Sequence, residues 1–293
     1  MPNIKEIRER IHSVNATQKL TKTMKLVSSS KLAKAQHQLS QASKYADHLM
    51  AVFNKSIAHS HVSALQPYLQ PGDAQKRLII MISTDKGLCG SFNTNIIKQT
   101  EAYLQKHHLF PEQVDFLAIG KKANSHFKKQ DYYLMTTYQM IASQLQLREV
   151  YEATDWIIQA FLTNQYSHVE LIYNSLETAV THAVQVARFL PFDRALIDEA
   201  ATRNVDTGYI YEPSQSELLE QMIPLRLSTQ LYAALLESNT AEHSARMTAM
   251  SKASENATSI LKDLRITYNK TRQASITNEI LEIAAGAEAL RKN

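Results

Sequence analysis

The stretch Asp85-Lys86-Gly87-Leu88-Cys89-Gly90-Ser91-Phe92-Asn93 gathers a lysine, two glycines and the only cysteine, directly after the apolar run RLIIMIST. A strand, a glycine turn and a following helix is the arrangement by which many α/β proteins hold a phosphate on backbone N–H groups. The residue order argues against that use. A P-loop places its lysine after the second glycine, as G-x-x-x-x-G-K-[ST]. Here Lys86 precedes Gly87, and Ser91 follows Gly90. A dinucleotide fingerprint needs three glycines, and this loop has two at G-x-x-G. The reading is a tight connection whose glycines take backbone conformations costly for other residues. Gly87→Val and Gly90→Val are therefore expected to harm folding more than any ligand affinity.

Other reactive side chains form no constellation. His59 with His61, and His107 with His108, lack the i, i+4 spacing and the nearby carboxylates of a metal site. Cys89 has no evident histidine partner and reads as an inert buried thiol. The serines of SSSK, 28–31, have no nucleophile-elbow context. No carboxylate pair is placed for acid–base work. The sequence thus offers no catalytic residue, no metal ligand and no cofactor site.

The elements around the loop are unusual. Of 293 residues 44% are apolar, enough for a sizeable core, while Gly numbers 6 and Pro 7. Scarce breakers imply long helices. One cysteine excludes an internal disulfide and fits a reducing compartment. The start, MPNIKEIRERIHSV, reads as neither a secretory signal nor a transit peptide. No run approaches the roughly 18 apolar residues of a membrane span.

From Asn3 to Gln66 there is neither Pro nor Gly. Ile4, Ile7, Ile11 and Val14 recur at 3-4-3, and Leu32, Ala35, Leu39, Ala42, Ala46, Leu49 and Phe53 continue that rhythm. This is the stripe of a helix lying along another helix. At 1.5 Å per residue such a helix is roughly 80 Å long, so part of it is expected to project. The C-terminal segment mirrors it. Leu227, Leu231 and Leu235 recur at i+4, followed by a small-residue face of Ala245, Ala249, Ala253 and Ala257. Ile260, Leu264, Ile276, Ile280, Ile283, Ala287 and Leu290 extend the stripe, and Pro224 is expected to kink or restart the helix.

The middle alternates. Strands are expected at 77–84, 114–119, 168–173 and 179–190, and helices near 93–106, 121–129 and 144–165, which implies a largely parallel sheet. The fold class is therefore an α/β insert with a long all-α antiparallel coiled coil formed by the N- and C-terminal helices. Its expected parts are an N-terminal helix, 1–57, a globular domain, 67–210, and a C-terminal helix, 213–290.

Charge is uneven. Residues 1–57 carry ten Lys/Arg and three Asp/Glu, a net +7, whereas the chain as a whole is +4. An acidic partner for that segment, or a merely solvated face, would account for it. Between Asn15 and Lys31 large apolar residues thin to Leu20, Met24, Leu26 and Val27, amid Thr17, Thr21, Thr23 and Ser28–Ser30 with Lys19, Lys22, Lys25 and Lys31. A similar polar stretch runs from Tyr268 to Thr277. A helix pair needing only mutual stability would not choose these residues, so both stretches read as partner-facing.

The terminal segments, IKEIRERIHSVNATQKLTKTMKLVSSSKLAKAQ and EHSARMTAMSKASENATSILKDLRITYNKTRQASITNEILEIAAGAEAL, closely resemble the γ-subunit family of F-type ATP synthases. STDKGLCGSFN and GYIYEP, 208–213, resemble that family's elements in the same order, so the likeness spans essentially the whole chain. The resemblance implies a non-catalytic central rotor, linking proton-driven c-ring rotation to ATP synthesis on β, and the reverse in hydrolysis. It implies a bent coiled-coil shaft inside an α3β3 hexamer and a foot beside the ε subunit on the c-ring. It calls for no cofactor and no nucleic acid, and for contact with the membrane only through the c-ring. The implied place is peripheral, on the cytoplasmic side of a bacterial plasma (inner) membrane. By the same resemblance Met24, Lys22 and Lys25 face acidic loops of β, although Met24 could equally pack in the seam. Arg246, Arg272, Gln273 and Thr277 correspond to positions of polar coupling with the hexamer. Ile280, Ile283, Ala287 and Leu290 would sit in an apolar bearing, and Tyr209, Tyr211 and Glu212 in the foot near the c-ring. The regulatory cysteine pair of chloroplast members is absent, so thiol switching is not expected.

Two rival readings stay open to test. A basic coiled coil could bind nucleic acid, but residues 5–37 contain no Phe, Tyr or Trp for stacking on bases. An α/β enzyme could use the Asp85–Gly90 loop, and nucleotide binding by residues 67–212 would mark it.

Overall fold

The strands form where apolar residues run without interruption, because both faces of a parallel sheet are covered. The computed structural model describes residues 3–58, 62–136, 138, 141, 145–178, 181–193, 212 and 214–291, side chains of 58, 62, 63 and 288–291 aside. In chain order the elements are α1 (Ile4–Ala58), β1 (Arg77–Ile82), α2 (Phe92–Lys106), β2 (Val114–Ile119), α3 (Lys121–Phe127), β3 (Tyr133–Met135), α4 (Leu147–Leu162), β4 (His168–Leu176), β5 (His182–Leu190) and α5 (Gln215–Arg291). The chain divides into two compact units, residues 1–28 with 247–293, and residues 29–246.

The larger unit holds a five-stranded sheet in the order β3-β2-β1-β4-β5. The first four strands are parallel, and β5 returns antiparallel to β4. Period-two alternation sorts the side chains to two layers. Ile79, Met81, Phe116 and Ile172 meet Ile96 and Leu104 of α2 and Phe127 of α3. Leu78, Ile80, Ile82, Leu117 and Leu171 meet Val150, Ile157 and Phe161 of α4 together with Phe53, Ile57, Leu219, Leu227 and Leu231 of the long helices. Each such fully buried aliphatic side chain contributes about 1.5–3 kcal/mol relative to exposure. The terminal helices are thus part of this core, with Gln215 Nε2 donating to Ser56 O at 2.7 Å.

Where β1, β2 and β4 begin, the core carries two buried carboxylates. Asp115 accepts from Lys76 Nζ at 3.1 Å and Tyr166 Oη at 2.9 Å. Glu170 accepts from Tyr103 Oη at 2.6 Å, with Arg77 3.6 Å away. Burial still raises the Glu170 carboxyl above the usual carboxylate range, against the opposing pull of Tyr103 and Arg77.

In the smaller unit the two helices run antiparallel. Arg8 meets Tyr268, Gln18 meets Thr258 and Lys25 meets Ser251, so numbers rise on one helix as they fall on the other.

Three expectations change. The edge strand β3, three residues long, carries no periodic signal and went unpredicted. The helix does not restart at Pro224, since α5 is continuous through it from Gln215 onward. The carbonyl that Pro224 leaves unpaired, four residues back, belongs to exposed Glu220, where water can satisfy it. Ile260 is exposed rather than in the stripe.

Candidate functional site

The Asp85–Gly90 loop lies at the carboxyl end of β1, beside β4. The strand order reverses between these two, which is where open α/β sheets usually bind ligands. In this chain the place is filled from within. Cys89 and Phe92 pack against Leu176 and against Ala241 and Ala245 of α5. Arg246 Nη2 donates to Lys86 O at 3.2 Å and Gly87 O at 3.3 Å, and pairs with Glu242 at 2.7 Å. Thr84 N donates to Asn93 Oδ1, Thr84 Oγ1 donates to Lys86 O, and Asn93 Nδ2 donates to Cys89 Sγ at 3.2 Å. Asp85 Oδ1 accepts from the first N–H of α3, Lys121 N, so a carboxylate of the chain already occupies that helix end. The loop presents carbonyl oxygens to an arginine, the opposite of a phosphate cradle.

Burial raises the Cys89 thiol above its ordinary value, consistent with an inert sulfur. Burial next to Arg246 and Lys31 lowers His243 to about 4, so it is neutral at pH 7. The loop's left-handed positions are Leu88 (φ 63°) and Gly90 (φ 61°). Gly87 is not one of them, and a Cβ there would meet nothing closer than Lys122 Cε at 3.8 Å. The expectation for Gly87→Val is corrected accordingly: the backbone does not require glycine at that position.

The helix pair of the smaller unit is built in an unexpected way. Its stripe continues Ile4, Ile7, Ile11 and Val14 through Gln18, Thr21, Met24 and Ser28. Thr21 is buried, as is Ser28 with 3% of its surface exposed, while Met24 is half-buried beside them. Gln18 Nε2 donates to Thr258 Oγ1 at 2.7 Å and Lys25 Nζ to Ser251 Oγ at 3.0 Å, across the pair. The large apolar side chains point outward instead: Leu20 is 61% exposed, Leu26 65% and Val27 51%. Thr21 and Ser28 share the buried seam with Ile7, Met250, Ala257 and Leu261, while Leu20, Leu26 and Val27 lie outside it, more exposed apolar surface than a pair that needs only itself would carry. The composition of residues 15–31 suggested a polar outer belt. The geometry places part of that polarity in the seam, and adds Leu20, Leu26 and Val27 to the outward surface. The signal was present in the sequence, because those three residues fall off the 3-4 stripe.

Lys22 is exposed, and so are Arg272, Gln273 and Thr277. Thr277 Oγ1 bonds back to Gln273 O within the helix. Ile276, Ile280, Leu281 and Ile283 are 46–72% exposed, a four-residue apolar cluster on the last turns of α5. Ala287 is exposed and the Leu290 side chain lies outside the described residues. Arg246 is not on the surface: it is 9% exposed and bound as described above. Glu212 is exposed, while Tyr209 and Tyr211 lie outside the described residues. Among the described residues no cluster of His, Cys, Asp or Glu could hold a metal ion.

An antiparallel helix pair with exposed apolar turns, joined in sequence to a small doubly wound domain, presents helix surface of the kind that partners cover. Comparison with known proteins names its family. A family model described as ATP synthase matches residues 3–290. The ATP synthase gamma chain of Amoebophilus asiaticus is 53% identical over 99% of both chains, and that of Cytophaga hutchinsonii 40% identical over 99% of both. The chain belongs to the ATP synthase gamma-chain family. The fold agrees with a chain of the Euglena gracilis mitochondrial ATP synthase (OSCP/F1/c-ring), at TM-score 0.64, 20% identity and coverage of 98% of this chain and 94% of that one. It also agrees with one from the central stalk/c-ring of the Tetrahymena thermophila enzyme, at TM-score 0.59, 23% identity and coverage of 80% and 99%.

Proposed function

We propose that this chain is the central-stalk rotor of an F-type ATP synthase and is not itself catalytic. It couples proton-driven rotation of a membrane c-ring to the nucleotide sites of the α and β subunits, and works in reverse during hydrolysis. The observation that carries the reading is the apolar surface the helix pair turns outward, at Leu20, Leu26 and Val27 and again at Ile276, Ile280, Leu281 and Ile283, which a surrounding partner would cover. A shaft that turns inside a sleeve cannot keep many strong directional contacts, since each would hold one angle. Exposed lysines attract acidic partners over a longer range and with less angular preference.

Met24, Lys22 and Lys25, with Leu20, Leu26 and Val27, form the proposed belt toward the α3β3 hexamer. Arg272, Gln273, Thr277, Ile280 and Ile283, with Leu281, form the second zone on α5. Arg246 acts on the partner indirectly, by fixing the turn at Lys86 and Gly87. Tyr209, Tyr211 and Glu212 are assigned to the foot near the c-ring and the ε subunit. No described helix is long and apolar enough to cross a membrane. The proposed attachment is peripheral, on the cytoplasmic side of a bacterial plasma membrane, through the c-ring.

The test is reconstitution with cognate α and β subunits, read by size-exclusion chromatography and ATPase turnover. A stable α3β3γ peak with stimulated turnover is expected. Failure to co-elute would overturn the assignment, and salt-sensitive DNA or RNA binding would then point to the nucleic-acid reading. A sharper test is Met24→Lys. The new ammonium must enter the Thr21–Ser28 seam or join Lys22 and Lys25, where like charges about 4 Å apart repel by roughly 1 kcal/mol in water. Assembly is expected to survive while proton pumping per ATP hydrolysed falls several-fold in membrane vesicles. Unchanged pumping would remove Met24 from the coupling surface.

A further inference from the structure

Arg226 of α5 is a half-buried cation with unusual company. Its guanidinium carbon stands 4.4 Å from the ring centroid of Phe192 and 4.7 Å from that of Phe53. Nη1 is buried and has no hydrogen-bond partner. Among the described residues no carboxylate pairs with this guanidinium, and burial alone pulls it down to about 10. Ring faces offset part of the lost hydration, but they offer no acceptor for the N–H fork. Leaving a buried N–H group of a cation without an acceptor is costly, so the site favours an anion that reaches Nη1.

Arg226 forms the wall of a cavity of about 540 Å³ between α1, the end of β5 and α5. That lies within the roughly 300–1,000 Å³ of small-molecule pockets. Gln230 and exposed Arg188 stand on its polar side, and Leu49 and Phe192 on its apolar side. Asp193 also lines it, and is engaged in an interaction of its own. A cationic fork at one side and hydrocarbon at the other match a monoanion with a short tail. A carboxylate suits the planar fork, and it is easier to desolvate than a doubly charged phosphate.

We propose that this cavity binds a small amphiphile with a carboxylate head on Arg226 and an apolar tail along Leu49 and Phe192. The site lies wholly within the larger unit and does not depend on the rotor reading.

The experiment is isothermal titration of the full chain with decanoate below its micellar concentration, alongside decanol and acetate. Decanoate is expected to bind at least about tenfold more tightly than decanol, because a charge-assisted pair is lost, and more tightly again than acetate, which lacks the tail. Ala233→Trp fills the cavity from α5 while sparing Arg226 and its rings, and is expected to weaken decanoate at least about tenfold. Arg226→Gln is expected to bring decanoate and decanol to similar affinities. Thermal melts of each variant confirm folding, and if Arg226→Gln fails to fold, Ala233→Trp carries the test. Equal affinity for decanol and decanoate in the unaltered chain, or decanoate binding indifferent to Ala233→Trp, would overturn the proposal.

Discussion

Gly120→Ala is expected to be among the most damaging single-methyl additions to this chain, destabilising it by more than about 4 kcal/mol. Gly120 follows β2 with φ +88°, a region costing a non-glycine residue about 1–3 kcal/mol. Steric overlap adds to that cost. A Cβ at this position would lie 2.2 Å from Ser83 O and 2.8 Å from Ser83 Oγ. Neither atom is free to retreat. Ser83 N donates to Ile119 O at 2.8 Å, and Ser83 Oγ accepts from Ala123 N at 3.2 Å. Relief would have to pull β1 from β2 at the centre of the sheet. Gly87→Ala is the internal control, since its added methyl meets only a lysine side chain and should change stability by less than about 0.5 kcal/mol. Urea denaturation of the full-length chains, with soluble yield as a second readout, measures both. Equal midpoints for the two variants would show that the β1–β2 junction yields more easily than its hydrogen bonds imply.

Gly120 also marks what sequence can and cannot reveal. Apolar runs located β1, β2 and β4 because a doubly covered parallel sheet leaves no doubt about its core, and alternation located the antiparallel β5. Scarce glycine and proline announced the long helices. That Gly120 needs its glycine, and Gly87 does not, could not be read from the stretches FLAIGKK and DKGLCG, since both are simply glycines until the chain closes around them. β3 escaped because three half-exposed edge residues carry no period. The outward surface was half legible. Lysines and threonines drew attention to residues 15–31, yet charge hid the more telling fact that Leu20, Leu26 and Val27 lie off the 3-4 stripe. Arg246 drew notice only through the resemblance. Its anchoring of the Lys86–Gly87 turn joins residues about 160 positions apart, a contact no local pattern encodes.

Arg246→Ala is expected to cost about 2–4 kcal/mol and to loosen the Asp85–Gly90 loop. The change removes donors from two backbone carbonyls and leaves the Glu242 carboxylate without its partner. Breaking a fully buried pair costs about 3–5 kcal/mol. The Glu242 side chain retains 21% exposure, which lowers the figure. The pH dependence separates this mechanism from simple loss of packing. Burial already raises the Glu242 carboxyl, and Arg246 is the largest force lowering it. Without the arginine its folded-state value climbs further above the unfolded one. The folded variant then binds a proton more readily than the unfolded chain, so acid stabilises it relative to the parent. His243 acts with the same sign. Arg246 helps hold it near 4, below its ordinary 6.5, so the parent loses stability as pH falls through that interval. The variant, with His243 released upward, loses less. The gap between parent and variant should therefore narrow steadily from pH 7 to pH 5, and Arg246→Ala with Glu242→Gln should recover part of the loss at pH 7. Hydrogen exchange at Lys86–Gly90 should quicken in the single variant. A gap independent of pH would assign Arg246 to packing alone. In that case the loop's presentation to a partner would have to rest on Thr84 and Asn93 instead.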